Sequence, residues 1–262
     1  MRPADISDLW TLRRIAANPF EVLRFRKNHS PEAELQVRLR DQPPLNLRGG
    51  KSDYHMFSRI FLRDEYRLRG LAAGELQCVV DLGGNVGLFA ARVAPLAQRV
   101  ITYEPMEINY TQLLHNVELL GNVTAVCAAA TGQPGSVRIY QPIADRLSGV
   151  YSAYGGHLLS DEYVEVSAVT LDELFQKHQI ERCDLLKLDV EGAEYEILHS
   201  ASAETWGAIR RLHGEYHDVR PGERETRIDS FSAFLGSKGF RVETVAHRRK
   251  PNHGMFFARR LP

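Results

Sequence analysis

The chain has 262 residues, 44% of them hydrophobic and 25% charged, with 33 basic side chains balanced by 33 acidic ones. This is the composition of a soluble globular protein, long enough for one large domain with a small appendage. The charge balance removes any global reason to expect a nucleic-acid partner, and no apolar run approaches the ~20 residues that stable membrane insertion needs.

Residues 1–75 read as a cap on a larger domain spanning 76–262. Ile6, Leu9, Trp10, Leu12 and Ile15 fall at helical spacing and predict a short amphipathic helix, stopped by Asn18-Pro19. Its basic face (Arg2, Arg13, Arg14) reads as solvated rather than membrane-bound, and its apolar face leaves a homodimer open. Two short strands, 37–39 and 45–47, flank Pro43-Pro44. Ser52-Asp53 then caps a helix carrying Met56, Phe57, Ile60 and Phe61 at helical spacing.

From Cys78 onward, strands and helices alternate. The strand 79–82 leads into a helix through Arg92-Val93. The strand 100–103 leads into a helix with Tyr110, Leu113, Leu114, Val117 and Leu120 on one face, ended by Gly121-Asn122. A third strand spans 123–126. Segments 137–140 and 164–169 read as an inserted or edge hairpin. The loop 145–157 between them carries Tyr151, Tyr154 and His157, which could close over an acceptor. Thr170 opens another helix, 184–188 is a short buried strand, and 194–199 is a helix. Strands at 209–215, 240–245 and 255–258 and a helix at 228–235 complete the chain. Repeated β-α units predict a mostly parallel sheet with helices on both faces, and the last two strands an antiparallel closing hairpin. Cys78, Cys127 and Cys183 match no zinc or redox spacing. They are expected to be buried, reduced thiols of a cytoplasmic protein, in keeping with a first thirty residues that lack a signal-peptide core.

Three blocks carry chemistry. In Val79-Val80-Asp81-Leu82-Gly83-Gly84-Asn85-Val86-Gly87-Leu88-Phe89 an apolar strand runs into a glycine-bearing turn and then a helix. Such a turn lets backbone approach a ligand and presents N–H groups to it. Asn85 stands where a dinucleotide fingerprint needs its second glycine, which disfavours a nucleotide-dependent dehydrogenase. Asp81 is placed to orient the turn or to reach an amino group through water. Glu104, followed by Pro105, ends the next strand about 20 residues after Gly83, the spacing of ribose-binding acids.

The second block, Leu185 through Leu198, sets Lys187, Asp189 and Glu191 at the end of an apolar strand, where open α/β sheets form their cleft. Asp189 is thereby expected in that cleft, beside the bound ligands. Asp189 and Glu191 could instead hold a divalent metal, or pair with Lys187. In the third block, alternation puts His213, Glu215 and His217 on one face of a strand. A histidine of ordinary pKa, about 6.5, can act as general base. His217 is the expected base, with Glu215 orienting it or binding substrate, and the cluster could also hold a metal with Asp189.

The glycine block, Tyr103-Glu104-Pro105 with Asn109 and Asn116, and above all Lys187-Leu188-Asp189-Val190-Glu191-Gly192-Ala193-Glu194 resemble the FkbM family of S-adenosylmethionine-dependent methyltransferases, as does the upstream Ser52-Asp53-Tyr54-His55-Met56-Phe57. The resemblance covers roughly residues 50 to 220. It implies the Rossmann-like α/β fold of class I methyltransferases, with a mostly parallel seven-stranded sheet and an antiparallel C-terminal hairpin. It also implies O-methylation of a small-molecule or saccharide acceptor, commonly a sugar or natural-product hydroxyl. Asp81, Gly83, Asn85, Gly87 and Glu104 would bind S-adenosyl-L-methionine, with Pro105 and Asp189 beside them. A non-catalytic binding module of the same fold and a metal-dependent O-methyltransferase using Asp189 are the alternatives.

Overall fold

The structure, a computed structural model, describes residues 3–28, 30–142, 152, 159–217, 228–247 and 250–262. Arg2 and the loop carrying Tyr151, Tyr154 and His157 therefore lie outside the described residues. The chain opens with α1 (Pro3–Ile15) and α2 (Pro19–Phe25), then a hairpin of β1 (Glu34–Val37) and β2 (Leu45–Arg48). Pro19 does more than stop the first helix. It starts the second at a position where its missing N–H costs nothing. The first cap strand lies upstream of the expected 37–39. α3 (Asp53–Phe57) runs straight into a π-helical turn, Ser58–Leu62. Ser52 makes no side-chain cap there; Asp53, fully buried, instead accepts from the Arg48 backbone and guanidinium.

The remaining elements are β3 (Leu76–Leu82), α4 (Leu88–Val93), β4 (Ala97–Tyr103), α5 (Glu107–Val117), β5 (Val123–Val126), β6 (Ala129–Ala130), β7 (Gly135–Pro142), β8 (Leu159–Val169), α6 (Leu171–Lys177), β9 (Leu185–Leu188), α7 (Glu194–Ser200), α8 (Ala203–Ala208), β10 (Arg211–His217), α9 (Ile228–Ser237), β11 (Phe240–His247) and β12 (Lys250–Arg260). A seven-stranded sheet has the order β11-β12-β10-β9-β3-β4-β5. The five strands from β10 to β5 pair in parallel, and β12 inserts antiparallel between β10 and β11. This is the expected doubly wound sheet with its closing hairpin. β7 and β8 form the predicted hairpin, joined by β6 in a separate three-stranded sheet. The α6 cap follows from Thr170 and Glu173, which exchange both bonds of a capping box. α8 was not legible as a periodic segment; six residues are too few to show a helical face.

The central strands β3 and β9 are buried on both faces, which explains their near-continuous apolar sequences. Alternation splits them between two cores. Val79, Val100 and Leu185 pack with α4, α5 and the cap residues Leu12, Val22, Val37, Leu45 and Phe57. Val80, Leu82, Ile101, Leu186 and Leu188 pack on the other side with α6, α7, α8 and α9. The cap thus shares one continuous core with the sheet. Each central strand carries a single charge, Asp81 and Lys187, and the two are register partners.

Two exposures differ from expectation. Cys78 and Cys183 are buried but Cys127 is exposed, because β5 is the edge strand. Trp10 is 63% exposed and stacks on Arg14 rather than entering the core. Among the described residues no helix is long and apolar enough to cross a membrane.

Candidate functional site

The glycine turn after β3 is shaped by the protein's own packing. Gly83, Asn85 and Gly87 have φ of 81°, 48° and 79°, a region in which side chains with Cβ are strained and glycine is not. A Cβ on Gly83 would lie 1.9 Å from the Asp189 carbonyl oxygen, and one on Gly84 2.3 Å from Thr102 Oγ1. The N–H groups are used internally: Gly83 and Gly84 both donate to the Tyr103 carbonyl and Gly87 donates to that of Gly84. Asn85 donates to Glu104 Oε2, and Val86 to Asn85 Oδ1. The expected display of N–H groups to a ligand is therefore corrected. A pyrophosphate would find no free donor among these five N–H groups, which counts against the dinucleotide reading.

Glu104, at the end of β4, is 5% exposed. Its Oε2 accepts from Asn85 N–H at 2.8 Å and its Oε1 from Met106 N–H at 3.1 Å. Burial raises its pKa to about 7 against the opposing hydrogen bonds of Met106, Asn85 and Asn109 and the Lys187 charge. Met106, Asn85 and Asn109 thus take three of the carboxylate's roughly four acceptor sites, which leaves one for a further donor such as a ribose hydroxyl. A second line of contacts holds it from the cap: Asp53 grips Arg48, whose Nη2 donates to Asn109 Oδ1. Asn116 does the same for the turn, donating to the Val86 and Asn46 carbonyls. Pro105 sits half-exposed at the lip.

Asp81 is completely buried. Its Oδ1 lies 2.9 Å from Lys187 Nζ and its Oδ2 accepts from Thr102 Oγ1. Lys187 Nζ in turn donates to the Gly83 carbonyl at 2.7 Å. Burial opposes the ammonium, but Asp81, Asp189 and Glu104 outweigh it and raise its pKa. Through Lys187 these contacts tie Asp81 to the turn, in keeping with the reading in which it orients the turn.

Across the turn, Asp189 N–H donates to the Leu82 carbonyl, tying the end of β9 to the end of β3. One donor atom from each of Asp189, Glu215 and His217 lies within 4.8 Å of the others, so the three residues expected to act together do meet. Asp189 Oδ2 accepts from Tyr66 OH at 2.8 Å. Burial would raise its pKa, but Lys187, Arg59, His217 and Tyr66 lower it. Glu215 pairs with Arg59 Nη2 at 3.0 Å, not with His217. His217 is held by other carboxylates, its Nδ1 3.0 Å from Glu194 Oε1 and its Nε2 3.4 Å from Glu191 Oε2. Burial opposes its charge, yet Glu194, Glu191 and Glu215 push the imidazole pKa up to about 10. That corrects the assumption of an ordinary histidine: at neutral pH His217 is an imidazolium, a donor rather than a free base. His213 lies on the same face, but its Nδ1 meets the Tyr66 carbonyl and burial lowers its pKa to about 4.

Arg59, Tyr66 and Glu194 are the site residues that sequence reasoning missed. Glu194 lay within the quoted block and its role, accepting from Val190 and Gly192 N–H, follows only from the loop it closes. Arg59 and Tyr66 come from the cap, 156 and 123 residues from their partners, and no spacing signals them. Ser152, the described residue of the aromatic loop, donates to the Glu191 carbonyl at 2.6 Å. Asp189, Glu215 and His217 are a donor set that a divalent cation could use, though Tyr66, Arg59 and Glu194 already hold them.

The family model of the methyltransferase FkbM domain matches residues 81–242. The chain is 24% identical over 216 residues to the 31-O-demethyl-FK506 methyltransferase FkbM of Streptomyces tacrolimicus, covering 71% of this chain and 81% of that protein. It is 26% identical over 230 residues to the AMB antimetabolite synthetase AmbE of Pseudomonas aeruginosa, covering 72% of this chain but only 10% of AmbE. A solved methyltransferase FkbM from Methylobacillus flagellatus KT aligns with a TM-score of 0.49 and 17% identity, covering 97% of this chain and 59% of that one. The match of the domain model over more than half of the sequence, on the same glycine turn and Asp189 block that build the crevice, makes the chain a member of the FkbM family of S-adenosylmethionine-dependent methyltransferases.

Proposed function

We propose that this protein transfers the methyl group of S-adenosylmethionine to a hydroxyl oxygen of a small-molecule or saccharide acceptor. The observation that carries the reading is the meeting of Asp189, Glu215 and His217 at the ends of β9 and β10, with Glu104 ending β4 on the other side of β3. When bound, the donor supplies a sulfonium-activated methyl group, so the C–S bond breaks as the C–O bond forms. The protein's task is alignment and removal of one proton. Glu104 accepts hydrogen bonds from the ribose hydroxyls. Lys187 and Asp81 keep the turn in place, and the acidic cluster would offset the sulfonium charge of the bound donor.

The acceptor hydroxyl donates to a carboxylate of the cluster, with Asp189 in first position because its low pKa keeps it ionised. Its proton leaves to that carboxylate, while the His217 imidazolium, fixed by Glu194, offsets the accumulated negative charge. Glu215, locked to Arg59, orients the cap side of the site. No step calls for a metal, and activity unchanged by EDTA is expected. The reading keeps the cytoplasm as its compartment, since Cys78, Cys127 and Cys183 are free thiols of a kind that a reducing environment preserves.

Two measurements test this. Isothermal titration must give saturable binding of S-adenosylmethionine or its demethylated product; no heat from either ends the cofactor assignment. Incubation with labelled methyl donor and a panel of glycans and hydroxylated natural products, read by mass spectrometry, must place the label on oxygen. A label on nitrogen or carbon would overturn the O-methyl reading while leaving methyl transfer intact.

A further inference from the structure

A cavity of about 410 Å³ opens between α1, the segment 39–42, the π-helical turn and α4. It shares no lining residue with the crevice beside the glycine turn. Three guanidinium groups border it, Arg14, Arg69 and Arg92, with Asp41 as the one carboxylate. Arg92 is half-buried and makes no hydrogen bond or ion pair among the described residues. Burial lowers its pKa, Asp64 opposes this, and the neighbouring Arg69 adds to it. Both oxygens of Asp64 already accept N–H groups, from Leu68 and Arg69. Gln42 Oε1 is buried without a hydrogen-bond partner, an acceptor waiting for a donor. Trp10 offers a flat exposed ring, with the Arg14 guanidinium 4.8 Å from its centroid. Phe61, Ile15 and Leu39 supply apolar walls.

Arg92, partly buried beside the exposed Arg69, gives up hydration with no protein partner among the described residues in return, and a bound anion recovers that cost through charge-assisted hydrogen bonds. We propose that this cavity is a second ligand site. It binds a small organic anion whose phosphate or carboxylate meets Arg69 and Arg92 and whose planar or apolar body lies on Trp10 and Phe61. The volume falls in the range of small-molecule pockets, about 300–1,000 Å³. The cavity also shares an element with the reactive centre: the π-helical turn that lines it with Phe61 carries Arg59, which holds Glu215. Extra backbone turns of this kind recur at functional sites.

The test is isothermal titration of the full chain with phenyl phosphate, phenylacetate and inorganic phosphate, at ionic strength matched with sodium chloride. Saturable binding of phenyl phosphate or phenylacetate, at least about ten-fold tighter than inorganic phosphate, is expected. The stronger of the two organic anions identifies the head group. Arg92→Gln and Trp10→Ala are each expected to weaken it at least about five-fold, while binding of demethylated S-adenosylmethionine is unchanged. That control shows both variants folded and separates this site from the donor crevice; Trp10 is exposed enough that its removal leaves the fold alone. Absence of saturable binding by all three anions would overturn the proposal, as would unaltered affinity in Trp10→Ala together with Arg92→Gln.

Discussion

Lowering the pH from 8 to 6 should weaken donor binding through one residue, Glu104. Its carboxyl is buried and its pKa is raised to about 7. At pH 8 about nine-tenths of it is ionised, and at pH 6 only about one-tenth. Ribose hydroxyls donate to the ionised form, so binding requires that form and releases a proton wherever the free protein holds one. The dissociation constant should therefore rise about eight- to ten-fold between pH 8 and pH 6, close to ~1.3 kcal/mol.

The stability sign runs the other way. Because the folded pKa lies above the unfolded value of about 4.5, Glu104 costs the free fold stability as pH rises through this window, and donor binding offsets that cost. Titration calorimetry with demethylated S-adenosylmethionine at pH 6, 7 and 8, in two buffers of different ionisation enthalpy, measures affinity and proton release together. Glu104→Gln should bind more weakly at pH 8, by about 1.5–3 kcal/mol for a lost charged acceptor, and show no pH slope. A wild-type affinity flat from pH 8 to 6, or a slope that survives in Glu104→Gln, would refute the ribose-acid assignment.

Other perturbations have equally definite outcomes. Lys187→Met strands the buried Asp81 charge and should cost about 3–5 kcal/mol in urea denaturation; adding Asp81→Asn should recover most of it, and a double variant no better than the single contradicts the pair. Gly83→Ala combines a φ of 81° with a Cβ 1.9 Å from the Asp189 carbonyl oxygen, so it should abolish donor binding or soluble expression. Full affinity in that variant would mean that the turn and the Asp189 loop are not packed as described. His217, with a folded pKa of about 10 against about 6.5 unfolded, contributes stability that is complete below pH 6.5 and is lost as pH rises to 10. Thermal melts should fall across that window in the wild type, and His217→Gln should flatten the decline.

The parts of this molecule that were legible from its residues are those encoded by local periodicity or by close spacing. The parallel sheet followed from repeated β-α units, and the antiparallel closing hairpin from two strands with no helix between them. Asp189, Glu215 and His217 could be brought together because both strand ends open on the same side of the sheet. What was hidden depends on long-range company. Pro19 carries the same signal whether it ends one helix or begins another, and Ser52-Asp53 looks like a cap until Arg48 takes the carboxylate. Arg59 and Tyr66 become site residues only when the cap folds over the sheet edge.

His217 shows why a residue's type is a weaker guide to its chemistry than its neighbours. An isolated imidazole near neutrality is a reasonable base, and alternation alone can place it at a strand end. Its chemistry is decided by Glu194, completely buried, which fixes the loop 190–192 through backbone N–H groups and holds Nδ1. Glu191, thrown to a φ of 52° by that loop, brings a second carboxylate to Nε2. Nδ1 then faces the Glu194 carboxylate and Nε2 the Glu191 carboxyl, and the proton stays on the ring. The same network raises the Glu191 pKa to about 8, burial exceeding the pull of His217, so the imidazolium and two carboxylates hold charge in common. The acid-base work of the site consequently belongs to the carboxylate side. A pH profile of methyl transfer should rise through the acidic limb of a carboxylate and be set by Asp189, with Asp189→Asn lowering kcat more than KM. With the methyl donor saturating, so that the Glu104 limb in binding is removed, an acidic limb of kcat left in place by Asp189→Asn would instead return the proton-accepting role to another residue of the cluster.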